Sequence, residues 1–400
     1  MIRRVGFAIA AVLMVLVVAA GCGGGDDTSS DATASSGSTD AASTEAGGGE
    51  ANSSGADVKA AEDAVTAAEA EYTKFEAPGP AFDAKKASGK MIWFEQYDAS
   101  SPTTAIWREN LNEAVKPYGV EVTNFDGQGE VSVQSQGIKQ AIAQGAGVII
   151  LSGVDPESIS ADISKAQAAG IPVIMGSNGK VGKPTIPGVE AAVTINHETV
   201  GQLLADWAVD SKGEDANVYA ITHSAILGAA VITDALEAQL AQLCGECKFT
   251  LNDLSFAKIN TLPNVTSTAI TSDPGITQIS PVYDFETLSI VPGIKQAGTA
   301  GKEVTAASFN ALPEVLKAMQ EGEPISADVG APNAYVGYAY ADQAMRILAG
   351  LEPVADEKIP IRLFTAENVE GLDPEGGDEE LYGPVDYQKE FETLWSGAGA

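Results

Sequence analysis

The chain has 400 residues, with 55 Asp or Glu against 23 Lys or Arg, and its formal net charge at pH 7 is −32. A surface this acidic repels nucleic acid and anionic lipid headgroups, which excludes both as partners. The roughly 340 residues that follow a short N-terminal leader are too many for one small core and indicate two lobes.

The N-terminus has the pattern of an export signal. Two arginines precede an apolar run over residues 5–18, which is shorter than the ~20 residues that span a bilayer. The following Val-Ala-Ala-Gly-Cys, residues 18–22, resembles the bacterial lipobox, in which the cysteine is lipidated. We therefore predict a lipoprotein signal peptide over residues 1–21 and a lipid anchor on Cys22. The alternative is an ordinary secretory signal with an incidental cysteine.

A tether and a helix follow the signal. Residues 22–56 are mostly Gly, Ser, Thr, Ala and Asp, which is the composition of a flexible linker. Apolar residues then recur at spacings of three and four, which predicts an amphipathic helix over residues 56–76. The positions are Val58, Ala61, Val65, Ala68, Tyr72 and Phe75. We expect residues 57–87 to form this helix and a linker, packed against their own domain.

From Met91 onward, short apolar strands alternate with helices. Strands are predicted over residues 91–94, 120–125, 148–151, 171–175, 217–221, 279–282 and 304–308. Helices are predicted over residues 105–118, 133–144, 158–169, 197–210, 225–243, 312–320 and 334–348. This alternation is typical of βαβ units, so the predicted fold class is α/β, with parallel sheets covered by helices on both faces.

The remaining cysteines form a Cys-Gly-Glu-Cys pair, Cys244 and Cys247. A thioredoxin-like site places such a pair after a strand and at the start of a helix, whereas here a helix precedes it and an extended segment follows. A zinc site would need about four ligands. The pair therefore predicts a small structural disulfide, which suits an oxidising exterior. We expect no metal site and no cofactor.

Polar and aromatic residues follow the predicted strands, where open α/β sheets bind their ligands. Two such series, facing each other across a hinge, would form a cleft. The candidates in the first half of the chain are Tyr97, Ser101, Thr104, Trp107, Ser152, Ser177 and Asn178. Those in the second half are His223, Tyr283, Asp284 and Asn310.

Three stretches resemble the ribose-binding family of periplasmic-type ligand-binding proteins, the substrate receptors of ABC importers. They are residues 147–156, residues 166–174 with an Ala-Gly-Ile-Pro-Val turn, and residues 195–201 before a helix. The resemblance implies two doubly wound, Rossmann-like lobes joined by a three-segment hinge, the type I fold, which closes on a small ligand.

The resemblance also implies lobe boundaries. The N-lobe would comprise residues 88–195 and 331–354, and the C-lobe residues 196–330 and 355–370. An acidic C-terminal extension, residues 371–400, lies outside the family pattern. Because it contains Phe391 and Trp395, we expect it to pack on the domain rather than float.

The pocket differs from the sugar-binding pattern of the family. After the strand that ends at Met175, the family has an Asp-Arg pair, whereas this chain has Ser177 and Asn178. A family arginine at a helix start is replaced in the region of Gly228, and a family aromatic position maps near Phe256. Without these arginines, bidentate recognition of a carboxylate or phosphate is not expected. A neutral ligand is expected instead, either a sugar or polyol or a more apolar, aromatic molecule.

The sequence has no motif of a nucleophile with its base, a metal cluster or a phosphate loop, so we do not expect an enzyme. The resemblance implies a monomeric solute-binding lipoprotein on the extracytoplasmic face of the cell membrane. It would deliver its ligand to an ABC permease and contact the membrane through its lipid alone. A sensor that presents its closed form to a chemoreceptor or a sensor kinase is the alternative.

Overall fold

Two separate β-sheets, in which all strands but one run parallel, organise the described part of the chain. The computed structural model describes residues 56–182, 184, 186–224 and 226–397, apart from the side chains of residues 256 and 257. The predicted signal peptide, the lipidation site Cys22 and nearly all of the tether lie outside the described residues.

The first sheet carries the N-lobe. Its elements are β1 (Met91–Gln96), α2 (Pro102–Val115), β2 (Glu121–Asp126), α3 (Val131–Gln144), β3 (Val148–Ser152), α4 (Ser160–Ala168), β4 (Val173–Gly176) and β5 (Val189–Val193), after the N-terminal helix α1 (Val58–Glu69). The strands pair in parallel in the order β2-β1-β3-β4-β5. All five residues of β3 are buried, because helices cover both faces of the sheet.

The second sheet carries the C-lobe. Its elements are α5 (His197–Lys212), β6 (Asn217–Thr222), α6 (Leu227–Leu243), β7 (Lys248–Asp253), α7 (Leu262–Ser272), β8 (Gln278–Pro281), α8 (Asp284–Gln296), β9 (Thr305–Phe309), α9 (Pro313–Gln320) and β10 (Ile325–Gly330). The chain then returns to the N-lobe as α10 (Asn333–Leu348) and comes back as β11 (Arg362–Thr365), antiparallel to β10. The strand order is β11-β10-β9-β8-β6-β7.

The chain therefore passes between the sheets after β5, after β10, and again between α10 and β11. This arrangement confirms the predicted α/β class with two lobes of the type I architecture. The first two passages leave from the carboxyl ends of β5 and β10, so the carboxyl ends of both sheets lie at the hinge. Strand-end side chains of both lobes are thus placed where the predicted cleft should be.

The N-terminal helix is shorter than predicted. It ends at Glu69, and Ala70 is extended with ψ 144°. The 3-4 spacing placed Tyr72 on the same helical face. Its backbone N–H instead donates to the carbonyl of Tyr382 at 2.6 Å. The long-range hydrogen bond overrides the local periodicity at this point.

The C-terminal extension packs on the domain, as its aromatic residues predicted. It contains α11 (Asp378–Tyr382) and α12 (Tyr387–Trp395). Phe391 and Trp395 are both buried and pack against the aromatic face of α10. The extension therefore contributes to the hydrophobic core.

Candidate ligand-binding cleft

A chain of three hydroxyl groups joins the strand ends of the N-lobe. The hydroxyl of Tyr340 lies 3.3 Å from Ser152 Oγ and 2.8 Å from Ser177 Oγ. Gly176 permits this approach, because a Cβ at that position would lie 2.6 Å from the same hydroxyl. Burial raises the pKa of Tyr340 to about 12, so the group is a neutral donor and acceptor. Ser152 and Ser177 are thus brought together as predicted positions, whereas Tyr340 was missed.

Trp107 connects the first helix of the N-lobe to the hinge. Its indole N–H donates to Asn333 Oδ1 at 3.1 Å, and its ring lies edge-on to that of Tyr340, with centroids 6.2 Å apart. Asn333 is the first residue of α10, directly after the second passage between the lobes. Trp107 is therefore largely buried and acts as a link between α2 and the hinge.

The other N-lobe candidates divide into accessible and buried positions. Tyr97 is 39 % exposed, and Ser101, at the start of α2, is half-buried. Thr104 is buried one turn further along α2. The Asn178 side chain is also buried, and its Nδ2 donates to the carbonyl of Val154 at 2.6 Å. The amide of Asn178 thus holds two strand-end loops together, and its role as a ligand contact stays a prediction.

In the C-lobe, His223 is engaged within the protein. Its side chain is 2 % exposed, with Nδ1 2.6 Å from the carbonyl of Leu254 and Nε2 2.6 Å from Glu286 Oε1. Burial alone would lower the pKa of His223, but the hydrogen bond and charge of Glu286 raise it above its usual value. Glu286 also accepts from the backbone N–H of Tyr283 at 3.4 Å. Both ring nitrogens therefore position the loops, and the ligand contact of His223 stays a prediction.

Asp284 is fully buried and is likewise a structural group. Its carboxylate accepts from Ser308 Oγ at 2.9 Å and from the backbone N–H of Leu312 at 2.6 Å. Burial raises the pKa of Asp284 to about 6, against the opposing effect of these donors and of the neighbouring Asp328 side chain. Burial and the charge of Asp284 raise the pKa of Asp328 further. Asp284 and Asp328 thus form a buried, coupled carboxyl pair in which burial favours the protonated forms. The ligand contact of Asp284 stays a prediction.

This carboxyl pair supports the loop that carries Asn310. Asn310 and Ala311 have φ values of 142° and 50°, a conformation that residues with a side chain rarely adopt. The backbone N–H of Ala311 points at Asp328 Oδ1 at 3.4 Å, and that of Leu312 is bound by Asp284. The loop is thus held in a strained form that leaves Asn310 half-buried at the end of β9.

We expect Asp328→Asn to flatten the pH dependence of stability. The unfolded chain loses the proton of this acid near pH 4, whereas the folded protein holds it to a higher pH because burial raises the pKa. The free energy of unfolding therefore falls as the pH rises above ~4. The slope is at most about 1.4 kcal/mol per pH unit. An asparagine cannot ionise, so the variant should gain stability relative to the wild type between pH 5 and pH 7. Urea denaturation over this range measures it, with the exposed Asp234→Asn as control; parallel curves for the wild type and Asp328→Asn would contradict the assignment.

Two further aromatic candidates lie at C-lobe strand ends. Tyr283 is half-buried and its ring stacks on that of Phe285, with centroids 5.8 Å apart. Phe285 is 43 % exposed. Phe256 begins a short 3-10 helix that ends at Thr261, and its side chain lies outside the described set. Among the described side chains, Tyr283 is therefore a half-buried aromatic ring at a C-lobe strand end.

His197 is a contact between the lobes that the strand-end pattern did not select. It begins α5, and its buried ring lies 5.9 Å from that of Phe309, edge-on. A Cβ on Gly228 would lie 2.9 Å from its Cε1. Burial lowers the pKa of His197 to about 4, against the opposing effect of a hydrogen bond to Gly179. A neutral imidazole thus joins the hinge to an N-lobe loop and to α6 of the C-lobe.

The cysteine pair and the described surface add further facts. The structure joins the sulfur atoms of Cys244 and Cys247, whose Cα atoms lie 5.4 Å apart after α6. Within the described ranges, no group of three or more His, Cys, Asp or Glu side chains is placed to hold a metal ion. No helix among those residues has the length and the hydropathy needed to cross a membrane.

Comparison with known proteins agrees with this architecture. A family profile described as "periplasmic binding protein domain" matches residues 85–352. The ribose import binding protein of Bacillus subtilis is 25% identical over 120 residues, which is 30% of this chain and 38% of that protein. The galactofuranose-binding protein of Escherichia coli is 23% identical over 239 residues, or 58% and 74% of the two chains. A Caulobacter myo-inositol binding protein, solved with myo-inositol, superposes with a TM-score of 0.62 at 23% identity, covering 70% of this chain and 95% of that one.

Proposed function

The chain belongs to the periplasmic binding protein family, a family of solute-binding proteins rather than enzymes, and from this premise we propose that it binds a neutral sugar or polyol between its lobes and delivers it to an ABC permease. The observation that carries the proposal is the half-buried hydroxyl of Ser177 at an N-lobe strand end, which the buried hydroxyls of Tyr340 and Ser152 hold in place. Neutral hydroxyls donate and accept hydrogen bonds and so match the hydroxyl groups of polyols.

The surroundings of this hydroxyl chain support the same ligand class. Tyr283 supplies a half-buried ring that can cover the apolar face of a sugar, and the amides of Asn333 and Asn310 can fix its orientation. Relatives of this chain bind ribose, galactofuranose and myo-inositol. A ligand that contacts both lobes would then favour the closed state, because it binds that state with higher affinity than the open one.

A thermal-shift screen of the full chain tests the ligand class. The probes are ribose, arabinose, myo-inositol, allitol and glycerol, together with one sugar phosphate, one sugar acid and one nucleoside. A ligand at 100 times its Kd stabilises the folded state by about 2.7 kcal/mol. We expect the neutral sugars or polyols to raise the melting temperature. A shift with the charged probes alone would overturn the ligand class, and a shift with the nucleoside alone would favour the aromatic alternative.

We expect Tyr283→Ala to weaken binding of the probe that the screen identifies by about tenfold, or about 1.4 kcal/mol. The ring is half-buried at a strand end and stacks on Phe285, so its removal takes away apolar contact without opening the core. Isothermal titration calorimetry measures the affinity. Tyr219→Ala is the matched control, because Tyr219 is also half-buried but lies within β6, away from the strand ends. Equal affinity in both variants would remove Tyr283 from the site.

The proposed location is the extracytoplasmic face of the cell membrane, with Cys22 lipidated. In cell fractionation we expect the wild type in the membrane fraction and Cys22→Ser in the soluble fraction. The serine variant lacks the thiol to which the anchoring acyl chains would be attached. Mass spectrometry of the mature N-terminus checks the modification directly. Both forms in the soluble fraction, with unmodified Cys22, would favour the ordinary secretory signal.

In the exported protein, Cys244 and Cys247 should resist thiol alkylation until a reductant is added.

Delivery to a permease is distinguished from sensing by genetics. Deletion of the gene should abolish uptake of the identified ligand and leave chemotaxis towards that ligand intact. Loss of chemotaxis or of a transcriptional response with unchanged uptake would instead identify a sensor.

A further inference from the structure

The first and last parts of the described chain connect the two lobes in addition to the three passages of the hinge. At the N-terminal end, α1 packs on the C-lobe helix α5, and its last residue Glu69 accepts from Thr365 Oγ1 at 2.7 Å. The following segment then reaches the N-lobe. The carbonyl of Pro80 accepts from the Arg346 guanidinium on α10 at 2.9 Å. Residues 70–81 thus cross from the C-lobe to the N-lobe.

The C-terminal extension makes the same crossing. On the C-lobe side, Gln320 Nε2 donates to the carbonyls of Val369 and Leu372 at 2.8 and 2.9 Å. Arg362 donates to the carbonyl of Leu381 at 2.6 Å. On the N-lobe side, Trp395 stacks on Tyr338 of α10, with ring centroids 5.8 Å apart and planes inclined by 8°. Residues 383–386 therefore join an anchor in the C-lobe to an anchor in the N-lobe.

The two crossings are bound to each other. The backbone N–H of Tyr72 donates to the carbonyl of Tyr382 at 2.6 Å. Gly383, at φ 119°, lies against the backbone of Tyr72, and a Cβ there would meet Tyr72 O at 2.5 Å and Tyr72 N at 2.9 Å. Only glycine fits this contact, both for its backbone conformation and for the lack of space.

The extension also touches the parts that must move when the lobes close. Tyr387 donates its hydroxyl to Asp378 Oδ2 at 2.8 Å. Burial raises the pKa of Asp378, against the opposing effect of Tyr387 and of the backbone N–H groups of Tyr335 and Ala334, which belong to the first turn of the hinge helix α10. The Tyr382 hydroxyl lies 2.6 Å from the position of a Cβ on Gly330. Its ring packs edge-on against Phe364, with centroids 5.5 Å apart.

We propose that residues 70–81 and 383–386 form an interlobe strap that sets the resting angle of the lobes. Asp378 acts as a positioning residue, because it ties this strap to the first turn of α10. Five chain segments, rather than three, must then bend when the cleft opens or closes. The strap thus restricts hinge motion, and the terminal segments become part of the binding machinery. This inference does not depend on which ligand the cleft takes.

Pulsed EPR on the full chain measures the interlobe distance directly. Spin labels are attached to p-acetylphenylalanine introduced at two exposed positions, Lys139 on α3 and Thr268 on α7. This chemistry leaves the cysteines untouched. In the wild type we expect a single narrow distance distribution. Gly383→Val, which forces the two crossings apart, and Asp378→Ala, which frees the start of α10, should broaden the distribution and shift its maximum.

Matched variants keep this test interpretable. Asp378→Asn retains an acceptor for the helix N–H groups and should restore the wild-type distribution, and Glu379→Ala on the exposed side of α11 should leave it unchanged. Tyr387→Phe removes only the donor to Asp378 and provides a mild variant if Gly383→Val does not fold. The strap is refuted if Tyr387→Phe and Asp378→Ala, folded by circular dichroism, both give the wild-type distance distribution.

Discussion

Arg346→Met is expected to lower the free energy of unfolding by about 3–5 kcal/mol, because it leaves a buried charge without its partner. Arg346 and Asp342 are both almost fully buried on α10, and Arg346 Nε donates to Asp342 Oδ2 at 2.6 Å. The guanidinium also lies 4.6 Å from the ring centroid of Phe82. One side chain thus neutralises a carboxylate and holds the linker that precedes the first sheet.

The neighbourhood offers no substitute for the lost charge. Glu357, in the third passage between the lobes, is buried with neither side-chain oxygen hydrogen-bonded. Burial and the charge of Asp342 raise the pKa of Glu357, whereas Arg346 opposes this shift. Burial likewise raises the pKa of Asp342, with Arg346 again opposing. Without the arginine, the folded state is left with two buried acids that both favour protonation.

Urea denaturation at pH 7 measures the loss. Arg108→Met is the matched control, since Arg108 is only half-buried and pairs with the exposed Glu109, and such solvent-accessible ion pairs contribute about 0–1 kcal/mol. The double variant Arg346→Met/Asp342→Leu should recover part of the loss, because an apolar pair of similar volume replaces the ionic pair. A cost below about 1 kcal/mol for the single variant would show that Asp342 is not charged in the folded protein.

The sequence predicted the fold class because apolar strands in alternation with amphipathic helices leave few other architectures. Three strands were not predicted: β5, β10 and β11. β5 contains a glutamate within a short alanine-rich run, and β11 begins with Arg362, whose guanidinium is satisfied by carbonyls of α1 and α11. Such strands depend on partners that are distant in sequence, and local periodicity does not show them.

The candidate site was predicted in position but only partly in chemistry. Residues that follow strands do lie at the carboxyl edges of both sheets, yet Asn178, His223 and Asp284 turn inward and bind loop backbone or neighbouring side chains. The same polar groups can stabilise a strained loop or contact a ligand, and a linear sequence does not distinguish these roles. Tyr340 was missed for a different reason, since it reaches the strand ends from a helix of a later segment.

Trp395→Ala is the second substitution with a large expected effect, about 3–5 kcal/mol of unfolding free energy. Trp395 is 1 % exposed, stacks on Tyr338 and lies edge-on to Tyr118, with centroids 5.7 Å apart. Its indole N–H donates to Asp342 Oδ1 at 2.7 Å. The alanine variant therefore opens a cavity in the aromatic cluster and removes a donor from the buried acid.

Two comparisons separate these contributions. Trp395→Phe keeps most of the ring but not the donor, so it should lose only about 1–3 kcal/mol, and Leu351→Ala, at an exposed position, should change little. The denaturant slope adds a second readout, because it scales with the surface exposed on unfolding. If the extension is an integral part of the core, Trp395→Ala should lower the urea midpoint with an unchanged slope in a single transition. A reduced slope with near-normal stability would mean that the extension detaches while the lobes stay folded, and α12 would then be an accessory rather than a structural element of the lobe.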